Sequence, residues 1–133
     1  FRTYNNNTRW APTQWREIAT KNDVQSLIQG TPWQNLVLAN GWNHHQQYNN
    51  VQFSKSFDGV VYLRGSASKG KITYDTVIGT LPVGFRPTQT IYVMALNNSY
   101  ALAVLGIHSN GNIVVKSNVD ATWLNFDNIS FKI

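Results

Sequence analysis

The fold of this chain is most clearly indicated by the segment Val51-Gln52-Phe53-Ser54-Lys55-Ser56-Phe57-Asp58-Gly59-Val60-Val61-Tyr62-Leu63-Arg64. Its two flanks are rich in β-branched and aromatic residues, and the dipeptide Asp58-Gly59 lies between them. An Asp-Gly pair tolerates the positive φ angles that a two-residue hairpin turn requires. The sequence therefore predicts an antiparallel β-hairpin over these residues.

Two further hairpins are predicted towards the C terminus. Asn110-Gly111 separates Ala101–His108 from Ile113–Lys116, and both flanks again favour strands. The run Asn97-Asn98-Ser99 joins Thr90–Leu96 to Tyr100–Val104 in the same manner. Local turn chemistry thus predicts three antiparallel pairs, two of them in the second half of the chain.

The remaining β-rich segments complete an all-β domain. Strands are also predicted at Leu36–Ala39, Ile72–Ile78 and Ile129–Ile133. The segment Leu81–Pro87 contains too much proline for a central strand and is expected to cross between two sheets. Roughly seven or eight short strands at this spacing are typical of a small antiparallel β-sandwich or barrel.

The residues before this β-rich region differ in character. Residues 1–32 are polar, and Asn22–Gly30 has a helix-start residue with Val24, Leu27 and Ile28 at helical spacing. A helix of about two turns is too short to be stable alone, so it is expected to pack on the following domain or on copies of itself. Two regions are predicted, 1–32 with a short helix and 33–133 as the β domain. Because the chain begins at Phe1 without a leader, we expect it to be a piece of a longer or processed protein.

Composition and charge exclude several classes of protein. The 133 residues fit one domain, 42% are hydrophobic and only 13% are charged, whereas 16 Asn and 8 Gln supply side-chain amides. No cysteine is present, and no apolar run is long enough to cross a bilayer. The net charge of +5 is spread singly along the chain apart from Lys69-Gly70-Lys71. This pattern predicts no nucleic-acid interface, but a mild preference for anionic surfaces such as phosphate-bearing polymers.

The sequence shows no clear catalytic or metal-binding motif. Hydrolysis of a glycan usually needs two facing carboxylates; Glu17 lies in the polar leader, and only Asp75 and Asp120 lack an obvious turn or capping role. A pair of carboxylates that hydrolyses a glycan therefore stays an open alternative. No Gly-x-Ser-x-Gly elbow occurs, and the adjacent His44 and His45 would face opposite ways in a strand. We expect no enzymatic activity, no cofactor and no metal.

Recognition of a ligand is better supported, above all by the loop Asn40-Gly41-Trp42-Asn43-His44-His45-Gln46-Gln47-Tyr48-Asn49-Asn50. Sugars stack their C–H faces on aromatic rings and bond their hydroxyl groups to amides and imidazoles, and this loop offers both. The first candidate ligand residues are therefore Trp42, His44, His45 and Tyr48. For Trp42, burial in the core is an equally good interpretation.

Two other sets complete the candidate ligand residues. Asn97 and Tyr100 lie at a predicted hairpin tip, although turn chemistry alone would account for the asparagine. His108, Asp120 and Trp123 form a weaker third set, in which Trp123 is also compatible with the core. Separate substitutions of Trp42 and Tyr48 are expected to weaken binding without loss of thermal stability if both rings face a ligand.

The order of several segments resembles the head domains of receptor-binding tail proteins from phages that infect Gram-positive bacteria. The resemblance rests on Asn40-Gly41-Trp42, Gly59–Gly65, Gly79–Pro87, Ser109–Ile113 and the closing Ile129–Ile133. The leader Trp10–Ala19 is similar to segments upstream in tail-fibre and baseplate proteins.

This resemblance implies a β-sandwich or barrel head, trimeric about a helical neck formed by Val24, Leu27 and Ile28, on the tail tip or baseplate of a virion. The implied ligand is a saccharide of the host cell wall, either a polysaccharide or teichoic-acid-like, bound without catalysis. Other tail and baseplate proteins are implied partners. Two alternatives remain: a polysaccharide depolymerase, and a structural module for tail assembly.

Overall fold

The computed structural model describes residues 30–133, and the chain divides into two units at Gly30. The predicted neck helix at Asn22–Gly30 and most of the predicted segment 1–32 lie outside the described residues. The division between residues 32 and 33 therefore stays a prediction. The second unit, Thr31–Ile133, contains the described strands.

This unit is all-β, as the sequence predicts, and no helix occurs between residues 30 and 133. Its strands are β1 Gln34–Asn35, β2 Val37–Leu38, β3 Asn43–His44, β4 Gln52–Lys55, β5 Val60–Arg64, β6 Ser66–Ser68, β7 Val77–Thr80, β8 Ile91–Asn97, β9 Leu102–Ile107, β10 Asn112–Ser117, β11 Leu124–Asn125 and β12 Ser130–Lys132. Within this range there is also no helix with the length and hydropathy that crossing a bilayer requires.

The strands form two antiparallel sheets. The smaller has the order β1-β4-β5-β12, and the larger has the order β2-β7-β10-β9-β8-β11-β6-β3. The outer strands of the larger sheet, β2 and β3, are separated in sequence only by Ala39–Trp42, so that sheet curls into a nearly closed barrel. Curling hides most of the edges that an open sheet would expose.

A single apolar cluster fills the space enclosed by the sheets. Its fully buried members come from both, with Leu63 on β5 in the smaller sheet, and Ile78, Leu105 and Ile113 in the larger one. Leu36 lies between β1 and β2 and bonds through its backbone N–H to Val51 O at 2.8 Å. Alternating inward residues on short strands thus supply the core that the β pattern predicts.

The three predicted hairpins are present. β4 pairs with β5 across Asp58-Gly59, β8 with β9 across the Asn97 turn, and β9 with β10 across Asn110-Gly111. Both turn glycines have positive φ, 88° for Gly59 and 92° for Gly111. The three hairpin predictions are confirmed. They could be made from sequence because the residues that favour a hairpin turn lie in the turn itself.

Two predictions about the connections are wrong. The strand predicted at Ile72–Ile78 begins only at Val77, because residues 73–76 form a turn in which Asp75 has a φ of 65° and its N–H bonds to Val115 O. The segment Leu81–Pro87 is indeed irregular, but it links β7 to β8 within the larger sheet and does not cross between sheets. The segment spans the distance across β10 and β9, which lie between β7 and β8 in the sheet.

Candidate functional site

A cleft of about 690 Å³ opens beside β3 and β6. Pairing of Asn43 with Ser68 and of His44 with Ala67 holds the two strands together. The lining is made of amides, imidazoles, one hydroxyl and one amine, and it contains no carboxylate: Asn43, His44, His45, Gln46, Gln47, Ser68 and Lys69. We call this set the amide cleft.

Four aromatic rings form a chain of consecutive contacts that begins in the amide cleft, and we call this set the aromatic row: His45, Tyr48, Trp123 and Tyr100. The ring centroids are 5.0 Å apart for His45 and Tyr48, 5.9 Å for Tyr48 and Trp123, and 5.8 Å for Trp123 and Tyr100. All three pairs are tilted or edge-on, as aromatic pairs prefer. His45 belongs to both features, so the cleft and the row form one continuous candidate site.

Hydrogen bonds to backbone carbonyl oxygens explain how three distant segments meet at the row. Lys69 N–H donates to Ala121 O at 2.6 Å, which ties the cleft to the loop that carries Trp123. Asn97 Nδ2 donates to Asn118 O at 3.1 Å, and Asn118 Nδ2 donates to Leu102 O at 2.9 Å. These bonds hold the loop at Trp123 against the turn that carries Tyr100.

The two tyrosines of the row face solvent, with 52% of Tyr48 and 79% of Tyr100 exposed. Trp123 between them is half-buried, and its Nε1–H is buried without a hydrogen-bond acceptor among residues 30–133. A buried donor without a partner costs about 1–3 kcal/mol, and such groups call for a specific explanation. The row therefore combines open ring faces with an unsatisfied donor.

The two histidines of the cleft are fixed by the backbone. His44 Nδ1 accepts a bond from Val51 N–H at 2.9 Å, and His45 Nδ1 accepts one from Gln47 N–H at 3.3 Å. Partial burial lowers the pKa of His44 from its ordinary value of 6.5, so this imidazole is neutral at pH 7. With Nδ1 accepting, the proton of neutral His44 sits on Nε2, which makes that nitrogen a donor.

Trp42 does not belong to this site, which corrects its assignment as a stacking platform. Its side chain is 4% exposed, its Nε1 donates to Lys71 O at 3.1 Å, and it packs so closely on Gly70 that a Cβ there would lie 2.1 Å from the ring. No face of the indole is open to a ligand. Of the two interpretations of Trp42, burial in the core is the right one.

Asn97 is likewise structural. It is 5% exposed, and its Oδ1 accepts bonds from Ser99 N–H and Ala101 N–H while Nδ2 donates to Asn118 O. The amide therefore caps its own turn and has little capacity left for a ligand. Its role is to position Tyr100.

The third predicted set is divided by the structure. Trp123 joins the aromatic row, and Asp120 precedes it in the same loop, where its Oδ1 accepts a bond from Thr122 N–H at 2.7 Å. His108 follows β9 at the end opposite to Tyr100, and its Nδ1 lies 3.0 Å from Thr90 Oγ1. His108 is thus separate from the candidate site.

Ser68 and Lys69 are cleft residues that the sequence reasoning missed. Lys69 belongs to Lys69-Gly70-Lys71, whose clustered charge was the available signal, but nothing local pointed to the pairing of β6 with β3. No group of three or more His, Asp or Glu side chains that could hold a metal ion occurs within the described range.

Comparison with known proteins gives a structural likeness. The chain is similar to the receptor binding protein gp15 of Listeria phage PSA, with a TM-score of 0.71 and 15% identity over 96% of this chain and 80% of that one. No protein family model and no curated protein sequence matches. At this identity the likeness establishes a shared fold.

Proposed function

We propose that this chain is the receptor-binding head of a phage tail protein, and that it adheres to a host cell-wall saccharide through the aromatic row and the amide cleft. The observation that carries the proposal is the continuity of the two features through His45. Exposed rings suit the C–H faces of sugars, and the adjacent amides and imidazoles suit their hydroxyl groups. The fold shared with a phage receptor binding protein supports the same role.

The dimensions and charge of the cleft agree with a saccharide ligand. Its volume of about 690 Å³ lies within the range of about 300–1,000 Å³ that small-molecule sites occupy. Its charged side chain is Lys69, and Asp or Glu is absent from its lining. A neutral sugar or one that carries phosphate fits this lining better than a cation does.

Binding without catalysis is proposed because each described aspartate is held by a hydrogen bond or a salt bridge. Asp75 pairs with Lys116 at 2.5 Å, and Asp127 accepts a bond from Gly65 N–H at 2.7 Å. Asp58 bonds to Ser56, and Asp120 caps its own loop. None of these four carboxylates lines the amide cleft, so a facing pair for glycan hydrolysis is not found there.

The proposal is tested by binding of the fluorescently labelled full chain to a panel of bacterial cells and purified wall polymers. Tyr48→Ala and Tyr100→Ala should each weaken binding about 2- to 10-fold, because an aromatic contact contributes about 0.5–1.5 kcal/mol. Tyr92→Ala is the matched control, since Tyr92 is 67% exposed on β8 but lies outside the row. Equal loss in all three variants, or no binding to any wall polymer, would argue against this site.

The same samples separate the alternatives. Release of new reducing ends from a bound polymer would favour a depolymerase. A chain that binds purified tail or baseplate proteins but no cell surface would favour a structural assembly module.

We further propose that the full chain is a homotrimer on the tail tip or baseplate, held by the predicted neck residues Val24, Leu27 and Ile28, and in contact with other tail proteins. Three linked heads would convert weak binding at each site into avidity. Sedimentation of the full chain at micromolar concentration should give a trimer mass. A monomer there would contradict a trimer formed by this chain alone.

A further inference from the structure

The amide cleft lies beside strands of the larger sheet. A second organised group of polar side chains lies on the outer face of the smaller sheet. The register pairs Asn35 with Gln52 and Gln52 with Arg64, which places these three side chains on one face across β1, β4 and β5. Trp33, just before β1, lies beside them. We call Trp33, Asn35, Gln52 and Arg64 the arginine ladder.

The ladder holds the Arg64 guanidinium in a fixed position. Its central carbon lies 4.0 Å from the centroid of the Trp33 ring, and its Nε donates to Gln52 Oε1 at 2.9 Å. Gln52 Nε2 in turn donates to Asn35 Oδ1 at 2.9 Å. A guanidinium stacked on an indole and bonded at Nε loses less freedom when it binds a ligand.

Within the described range, Arg64 uses only one of its three guanidinium nitrogens for a hydrogen bond. Among residues 30–133, Nε donates to Gln52, and the two terminal nitrogens have no acceptor. Arg64 also has no carboxylate partner in this range, where the single salt bridge joins Lys116 to Asp75. The other positions of this face on β4, β5 and β12 include the buried Ser54 together with Tyr62, Ser130 and Lys132, and Lys132 interacts with the nearby Asp58 carboxylate. Arg64 is therefore the group on this face that complements an anion.

We propose that the arginine ladder is a binding site for a planar or tetrahedral oxyanion, namely the phosphate or carboxylate group of an anionic saccharide. The terminal N–H groups of Arg64 form two parallel bonds to two oxygens of that group, a geometry that lysine cannot reproduce. Trp33 and Gln52 act as positioning residues. This site is distinct from the aromatic row and does not depend on it.

The site is tested by NMR titration of the full chain with sn-glycerol 3-phosphate, with glucuronate and with uncharged glycerol. The signals to follow are the Arg64 Nε–H and the Trp33 indole N–H. Both should shift saturably with an anion and stay still with glycerol, and the tighter of the two anions identifies phosphate or carboxylate as the preferred group. The Trp42 indole signal, from the core, should not move.

Three variants make the test decisive. Arg64→Lys keeps the charge but loses the paired donors, and should weaken anion binding at least 10-fold; Gln52→Leu should weaken it less. Lys71→Gln removes one exposed charge elsewhere and should change binding less than 2-fold. The proposal is overturned if Arg64→Lys binds as well as the natural chain, if Lys71→Gln loses as much, or if glycerol shifts the same signals. Should Arg64→Lys fail to fold, unchanged binding in Gln52→Leu overturns it as well.

Discussion

Trp42 and Trp123 have contrasting environments, and the residues next to them in the sequence do not predict the difference. Trp42 is enclosed by the core and bonded to Lys71 O, whereas Trp123 stands between two exposed tyrosines with a buried N–H that has no acceptor in the described range. Both follow loop residues rich in polar groups. The difference arises from Gly70, which leaves the space that the Trp42 ring fills.

Trp42→Ala should destabilise the fold by about 3–5 kcal/mol, because a buried indole is replaced by a cavity. Tyr48→Ala is the control and should stay within about 0.5 kcal/mol of the natural chain, since Tyr48 is exposed. Urea unfolding followed by circular dichroism measures both. A stable Trp42→Ala protein that has lost only saccharide binding would return Trp42 to the ligand site.

His44 should make stability depend on pH. Burial places its pKa below that of the unfolded chain, so its stabilising effect is fully present above about pH 6.5 and is lost as the pH falls through the lower, folded value. Protonation also removes the acceptor that Val51 N–H uses. In thermal melts, the drop in Tm between pH 7.5 and 5.5 should be smaller for His44→Gln than for the natural chain; an identical drop would show that His44 is not the group responsible.

Among the elements, the hairpin turns were predictable, whereas the turn at residues 73–76 was not. Asp58-Gly59 and Asn110-Gly111 fix their hairpins through local φ preferences, so the sequence was sufficient. Ile72 and Tyr74 have the composition of a strand, yet the turn anchored at Val115 leaves both exposed.

The candidate site also depends on contacts that the local sequence does not predict. Aromatic and amide content identified Tyr48, Tyr100 and Trp123 individually, but their meeting depends on Lys69 bonding to Ala121 and on Asn97 bonding to Asn118. Contacts so distant in the chain leave no local signal.

A pair of glycines tests how tightly the connections are packed. Gly65 and Gly84 have nearly equal φ values of 98° and 97°, but a Cβ at Gly65 would lie 2.0 Å from Asn50 O, whereas nothing is within 4 Å at Gly84. Gly84→Ala should therefore cost about 1–2 kcal/mol, from the left-handed backbone alone. Gly65→Ala should cost clearly more in the same urea assay, and equal losses would show that the β5–β6 junction can relax.

In the whole molecule, the two proposed binding sites lie on different sheets. The larger sheet and its loops carry the amide cleft and the aromatic row, and the outer face of the smaller sheet carries the arginine ladder. The sparse charge of the sequence is consistent with this arrangement, because amides and rings supply most of the proposed contacts. In these proposals the net charge of +5 contributes through Lys69 in the cleft and Arg64 in the ladder.

We propose above all that a cell-wall saccharide binds on the aromatic row. This binding is tested by a ¹⁵N–¹H NMR titration of the full chain that follows the tryptophan indole N–H signals. The ligand is a fragment of the wall polymer that the chain binds in the panel of cells and polymers. We expect the Trp123 signal to shift saturably while the Trp42 signal stays in place, with the Trp123 shift reduced in Tyr48→Ala. Saturable binding that leaves Trp123 and the backbone signals of His45 and Tyr48 unchanged would contradict the claim.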